Sequence, residues 1–99
     1  MAIVEISVTP LGINKMGVSE YVAGCLELVR ESGLDFQLTP MGTIIEGDLS
    51  ELFPLLQRMH EAPFNKGAER VSTLIKIDDR RDRKHNMQGK VDSVMAKLE

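Results

Sequence analysis

The strongest constraint on this chain is a change of hydrophobic period that occurs twice in the same order. Ile3 to Thr9 alternate strictly, with Val4, Ile6 and Val8 on one side and Glu5, Ser7 and Thr9 on the other. That is the pattern of a strand with one face on a core. The period then lengthens: Val22, Cys25, Leu26 and Val29 recur at i, i+3, i+4 and i+7, which makes one apolar face of a helix. Alternation returns over Leu34 to Thr39 and over Thr43 to Gly47, on either side of the turn signal Pro40-Met41-Gly42. A second helical stripe, Leu52, Leu55, Leu56 and Met59, leads to a fourth alternating run, Val71 to Ile77.

The punctuation agrees with these periods. Pro10 closes the first strand, because proline cannot donate to a ladder, and a polar turn runs from Gly12 to Gly17. Ser19 reads as a helix N-cap with Glu20 near the positive end of the dipole, and Gly33 as the stop. Either Asp48 or Ser50 can cap the second helix. Asp48 with Glu51 loosely fits a capping box, while Pro54 favours the later start, since proline is tolerated only near a helix N-terminus. Pro63 marks its end. After a charged stretch, Asp78 to Lys84, a last helix capped by Asn86 carries Val91, Val94, Met95 and Leu98 at helical spacing.

The order β-α-β-β-α-β plus a terminal helix consists of two βαβ halves, roughly 2–39 and 43–77. Its economical packing is one antiparallel four-stranded sheet with two helices on one face, the ferredoxin-like α+β arrangement, in a single domain over residues 1–99. The second sheet face is then left open. Glu5, Ser7, Gln37, Thr39, Ser72 and Lys76 share it with Ile3 and Leu74, and either Ile44 or Ile45 must join them because neighbours on a strand face opposite ways. A half-apolar open face is a self-association surface.

Composition narrows the function. Twelve Lys and Arg against fifteen Asp and Glu give a net charge of −3, which argues against a nucleic-acid carrier. Of the four aromatics, Tyr21, Phe36, Phe53 and Phe64, only Phe36 falls on a strand, so the base-stacking platform of an RNA-recognition domain is missing. Arg80, Arg81, Arg83 and Lys84 alternate with Asp78, Asp79 and Asp82 and read as a self-neutralising loop. A single cysteine, Cys25, excludes an internal disulfide framework; it lies on the helix stripe as a small buried hydrophobe. The start carries no signal peptide and no window is apolar enough for a membrane helix, so the expected location is the cytoplasm. His60, His85, Asp78 and Asp79 have no recognised metal-ligand spacing, and no glycine-rich phosphate loop follows a strand. The chain is therefore expected to be no enzyme and to need no metal or cofactor.

The informative stretch is the hairpin. Glu46 is a carboxylate in an apolar strand and needs solvent, a partner such as Lys76, or a ligand. It could accept hydrogen bonds from a cationic or amine-bearing molecule, with Ser19, Thr39 and Thr43 supplying hydroxyls and Met41 a soft wall for a flat ring.

Four motifs carry a resemblance: Ser19-x-Tyr21-Val22, Glu31-Ser32-Gly33-Leu34, Pro40-Met41-Gly42-Thr43-x-x-Glu46-Gly47 and Lys76-Ile77-Asp78-Asp79-Arg80. In order and essentially end to end, the chain resembles the small thiamine-binding, YkoF-related ferredoxin-like proteins, although Phe36 stands where that family has a tyrosine. The resemblance implies a non-enzymatic protein that binds thiamine (vitamin B1) or its hydroxymethylpyrimidine part, assembled as a dimer of dimers, a homotetramer. Ser19, Thr39, Met41, Thr43 and Glu46 are the expected ligand-binding residues. The alternative is a structural or regulatory module that uses the open sheet face to bind itself or a partner protein.

Overall fold

The computed structural model describes residues 1–12, 18–84 and 86–98. Their order is β1 (Ala2–Pro10), α1 (Val18–Ser32), β2 (Asp35–Thr39), β3 (Gly42–Gly47), α2 (Leu49–Asn65), β4 (Val71–Asp79) and α3 (Met87–Leu98). The four strands form one sheet in the order β2-β3-β1-β4, every neighbouring pair antiparallel. This is the expected ferredoxin-like α+β arrangement with an added terminal helix. The turn expected over 12–17 lies mostly outside the described residues, as does His85.

The alternating residues go where their period sends them. Ala2, Val4 and Ile6 of β1 and Ile45 of β3 are buried against Cys25 and Val29 of α1 and Leu52, Leu55, Leu56 and Met59 of α2. The choice between the two isoleucines is thereby made: Ile45 is fully buried and Ile44 lies on the open face, opposite Glu5. Tyr21, outside the expected stripe of α1, is also buried.

Helix α2 departs from the sequence reading. It begins at Leu49, with Asp48 as its cap residue and the Asp48 carbonyl accepting from the amides of Glu51 and Leu52, both at 2.9 Å. Ser50 is therefore inside the helix, and both Pro54 and Pro63 are helical. Burying the stripe from Leu52 to Met59 outweighs the one backbone hydrogen bond that Pro54 withdraws. Pro63 is itself buried, and its carbonyl ends the helix by accepting from the amides of Lys66 (3.1 Å) and Ala68 (3.0 Å). Helix α1 also begins earlier than expected, at Val18, which puts Ser19 in its first turn. Gly33 stops α1 with φ of 75°, a backbone conformation that glycine adopts without strain.

Candidate functional site

The hairpin between β2 and β3 builds the first part of the site. Pro40 and Met41 form its two-residue turn, stitched by the Thr39 hydroxyl. Thr39 Oγ1 donates to the Gly42 carbonyl (2.9 Å) and accepts from the amides of Met41 (3.2 Å) and Gly42 (3.1 Å). One donor and two acceptor sites are all a hydroxyl has, so Thr39 is fully committed to the turn. Gly42 is a forced choice of another kind. A Cβ placed there would lie 2.8 Å from the Ile6 carbonyl oxygen, so only glycine lets the hairpin close this tightly on β1.

Behind the turn lies a cavity of about 350 Å³ between α1 and the hairpin end of the sheet. Thr39, Met41 and Thr43 all line it, with Val22, Cys25 and Met59 among its apolar walls. Leu38 also borders it, which is why a side chain on the helix face of β2 is half exposed. Ser19 lies one helical turn before Val22, on the same side of α1. Met41 is 80% exposed at the mouth.

The most telling group in this cavity is Thr43. It is 6% exposed, it lines the cavity, and its hydroxyl has no hydrogen-bond partner among the described residues. A buried hydroxyl without a partner costs about 1–3 kcal/mol. Cys25, by contrast, directs its thiol to the Met59 carbonyl at 3.3 Å. Burial pushes that thiol above its ordinary pKa, opposed by the positive charge of Lys66. It is a neutral wall of the cavity at neutral pH.

Glu46 is brought to a different place. It lies three residues along β3 from Thr43, and so on the opposite sheet face. In the ladder it stands between Asp35 of β2 and Ile3 of β1, with Asp78 of β4 beyond Ile3; Lys76 stands opposite Glu5 in the neighbouring row. Glu46 is 8% exposed, and its Oε2 accepts from the Met87 amide, the first of α3, at 3.0 Å. Asn86 completes the start of that helix as expected, with its Oδ1 accepting from the Gly89 amide at 2.6 Å. Lys90 of α3 reaches Asp78 at 2.6 Å. Glu46 and Asp78 thus tie the start of α3 to the open-face side of the sheet. Glu46 also lines a depression of about 750 Å³ with Met1, Asp35 and the basic side chains of Arg80, Arg83 and Lys84.

The other candidate groups have local partners. His60 shares a 2.7 Å hydrogen bond between its Nδ1 and the Thr73 hydroxyl, and packs edge-on against Phe64. Arg80 binds Asp82 through two nitrogens and holds its carboxyl down at about 2, while Arg81 binds Asp79. The charged loop is to this extent self-neutralised. No group of three or more His, Cys, Asp or Glu side chains able to hold a metal occurs among the described residues. Nor is any described helix long and apolar enough to cross a membrane.

Fold and cavity define the class: a small ferredoxin-like α+β domain with a cavity at its hairpin end. The chain belongs to the thiamine-binding protein family, whose model matches residues 4–95. It is 46% identical over 103 residues to the UPF0045 protein YqgV of Bacillus subtilis, covering 100% of this chain and 99% of the relative. A UPF0045 protein of Staphylococcus xylosus is 49% identical over 98 residues, covering 95% and 92% of the two chains. Among solved structures, MJ1052 of Methanocaldococcus jannaschii superposes with a TM-score of 0.86 at 30% identity, covering 95% of each chain. The fold is shared with TM0486 of Thermotoga maritima, a protein named for thiamine biosynthesis or salvage, at a TM-score of 0.79 and 19% identity over 94% of this chain and 97% of that one.

Proposed function

We propose that the protein binds thiamine or its hydroxymethylpyrimidine part, without transforming it, in the cavity between α1 and the β2–β3 hairpin, and that it does so as a homo-oligomer. The observation that carries this reading is the buried hydroxyl of Thr43, without a partner among the described residues, inside an otherwise largely apolar cavity. Such a cavity suits a flat heterocycle held by dispersion on its faces and by one or two hydrogen bonds at its edge. Thr43 would satisfy a ring nitrogen or the amino group, with Met41 closing over the ring. Thr39 would serve the site through the turn it builds, whereas Ser19 is exposed in the first turn of α1 and is not among the residues lining the cavity. Family membership supports the ligand class.

Glu46 takes a different role in this reading. Within one protomer it holds the start of α3 on the far face of the sheet, and the ligand's amine is left to the hydroxyl of Thr43.

The test is thermal unfolding with thiamine, hydroxymethylpyrimidine, thiamine diphosphate and unrelated cations. A ligand at 100 times its dissociation constant adds about 2.7 kcal/mol to the native state, worth roughly ten degrees or more in a domain this small. A shift confined to pyrimidine-bearing compounds, and reduced at least tenfold in apparent affinity by Thr43→Val, is expected. That substitution should itself leave stability unchanged or slightly raised, because it removes an unpaired polar group. Equal affinity in Thr43→Val would remove the hydroxyl from the proposal.

A flat response would favour a self-associating interaction module instead. Ile3 and Leu74 put apolar surface on the open face, and Val91, Val94, Met95 and Leu98 of α3 are all exposed.

A further inference from the structure

The charged segment after β4 leaves two of its cations over. Arg80 binds Asp82 at 2.6 Å and Arg81 binds Asp79 at 2.8 Å, but Arg83 and Lys84 form no ion pair among the described residues. The pull of Arg83 on Asp82 is minor beside the hydrogen bonds from Arg80. Arg83 and Lys84 are both exposed, and with Arg80 they wall a groove of about 560 Å³ between this segment and the first turns of α3. The opposite wall is one face of that helix, where Asn86, Gly89, Lys90 and Ser93 follow at the i, i+3, i+4 and i+7 spacing. Lys90 reaches across to Asp78 at 2.6 Å, and Asp78 is the one carboxylate among the described lining residues. Gly89 is placed against the interest of the helix, since glycine weakens a helix relative to alanine. A Cβ there would lie 3.0 Å from Asn86 Oδ1, the atom that caps α3. Glycine thus preserves the cap and keeps that wall of the groove open.

We infer that this groove binds a single phosphoryl group, carried by a small phosphate ester or free as inorganic phosphate. The groups left over along it are donors. The Arg83 guanidinium offers a planar fork for two phosphate oxygens, Lys84 a compact positive charge for a third, and the Ser93 hydroxyl a neutral donor. The positive end of the α3 dipole adds to them. The surroundings limit the size of the anion. Arg80, Arg83 and Lys84 also border the depression that holds Asp35 and Glu46, and the chain as a whole carries a net charge of −3. An extended polyanion would run into those carboxylates, whereas one phosphoryl group fits within the basic groove. The inference goes beyond the ligand proposed above and does not rest on it. Groove and hairpin cavity share no lining residue, so each can fail without the other.

The test is a titration of the full chain with inorganic phosphate, glycerol phosphate and glycerol, followed by amide NMR shifts at an ionic strength held constant with chloride. Saturable shifts confined to the residues lining the groove are expected with a phosphate-bearing probe, and none with glycerol. Saturation by glycerol phosphate alone would support the site and identify an ester as its ligand; saturation by both would support it with the phosphoryl group sufficient. Replacing both Arg83→Gln and Lys84→Gln should weaken binding at least tenfold. Lys97→Gln, in the last turn of α3, should leave it unchanged. All three side chains are exposed, so the variants should retain the wild-type circular dichroism spectrum. Shifts that never saturate, shifts unchanged in the double variant, or an equal loss in Lys97→Gln, the mark of a diffuse response to net charge, would each overturn the site.

Discussion

The two ends of β3 handle a buried polar side chain in opposite ways. At the α3 end, Glu46 is desolvated but compensated, because a backbone N–H of Met87 points at it and the helix behind that amide adds a favourable dipole. At the hairpin end, Thr43 is equally buried and its hydroxyl has no partner among the described residues. The first arrangement is what a structural group looks like, since the polar atom is answered from within the fold. The second leaves a polar atom to be answered by something that enters the cavity. Two residues three apart on one strand thus separate a helix anchor from a candidate binding group, and the pleat of the strand divides them between the faces of the sheet.

The largest effect on this contrast should come from Gly42→Ala. Its new Cβ meets the Ile6 carbonyl oxygen at 2.8 Å, and backbone cannot rotate away as a side chain can. Prising the hairpin from β1 should cost about 1–3 kcal/mol, read by urea unfolding, and should abolish the ligand-induced shift with it. A stable variant with normal ligand response would show that the hairpin end is softer than its packing suggests.

Next in size is Glu46→Ala, which leaves the Met87 amide without its acceptor. A loss of about 1–2 kcal/mol is expected, concentrated in α3 as faster amide exchange over residues 87–98. The ligand-induced shift should be untouched. If Glu46→Ala instead removes ligand response and leaves α3 protected, the roles assigned to the two ends of the strand are exchanged.

The smallest effect is kinetic. Burial raises the Cys25 thiol above its usual pKa, and it walls the hairpin cavity. A thiol reagent should therefore react much more slowly with the native chain than with the unfolded one, and more slowly again with ligand present. Equal rates with and without ligand would put the ligand elsewhere.

Much of this molecule can be read from periodicity. The alternation of Val4, Ile6 and Val8 and the stripe Leu52, Leu55, Leu56 and Met59 announced which faces meet, and Asn86 was recognisable as the cap of α3 from residue type and position. The start of α2 was less legible: Pro54 argued locally for Ser50, and core burial, a non-local quantity, overruled it. The site was half legible. Thr39, Met41 and Thr43 share one cavity because the hairpin folds them around a single turn, a short-range matter. Three properties of the site were out of reach. The consumption of the Thr39 hydroxyl by its own turn depends on turn geometry at the scale of a hydrogen bond. That no described group of α1 or β1 partners the Thr43 hydroxyl is settled by how those elements pack. The partner of Glu46 comes from a helix forty-one residues further along the chain.

By itself the sequence determined the order of elements, the layer each strand turns to the helices, the chain's resemblance to a thiamine-binding family and the hairpin as the place to look. These follow from local spacing, because a strand's faces repeat every two residues and a helix's every three to four. The tertiary structure alone decided that Glu46 accepts from the first amide of α3 and that Thr43 is buried with no hydroxyl partner among the described residues. Those properties belong to groups distant in sequence, and a hydrogen bond or its absence exists only once packing has brought both sides together.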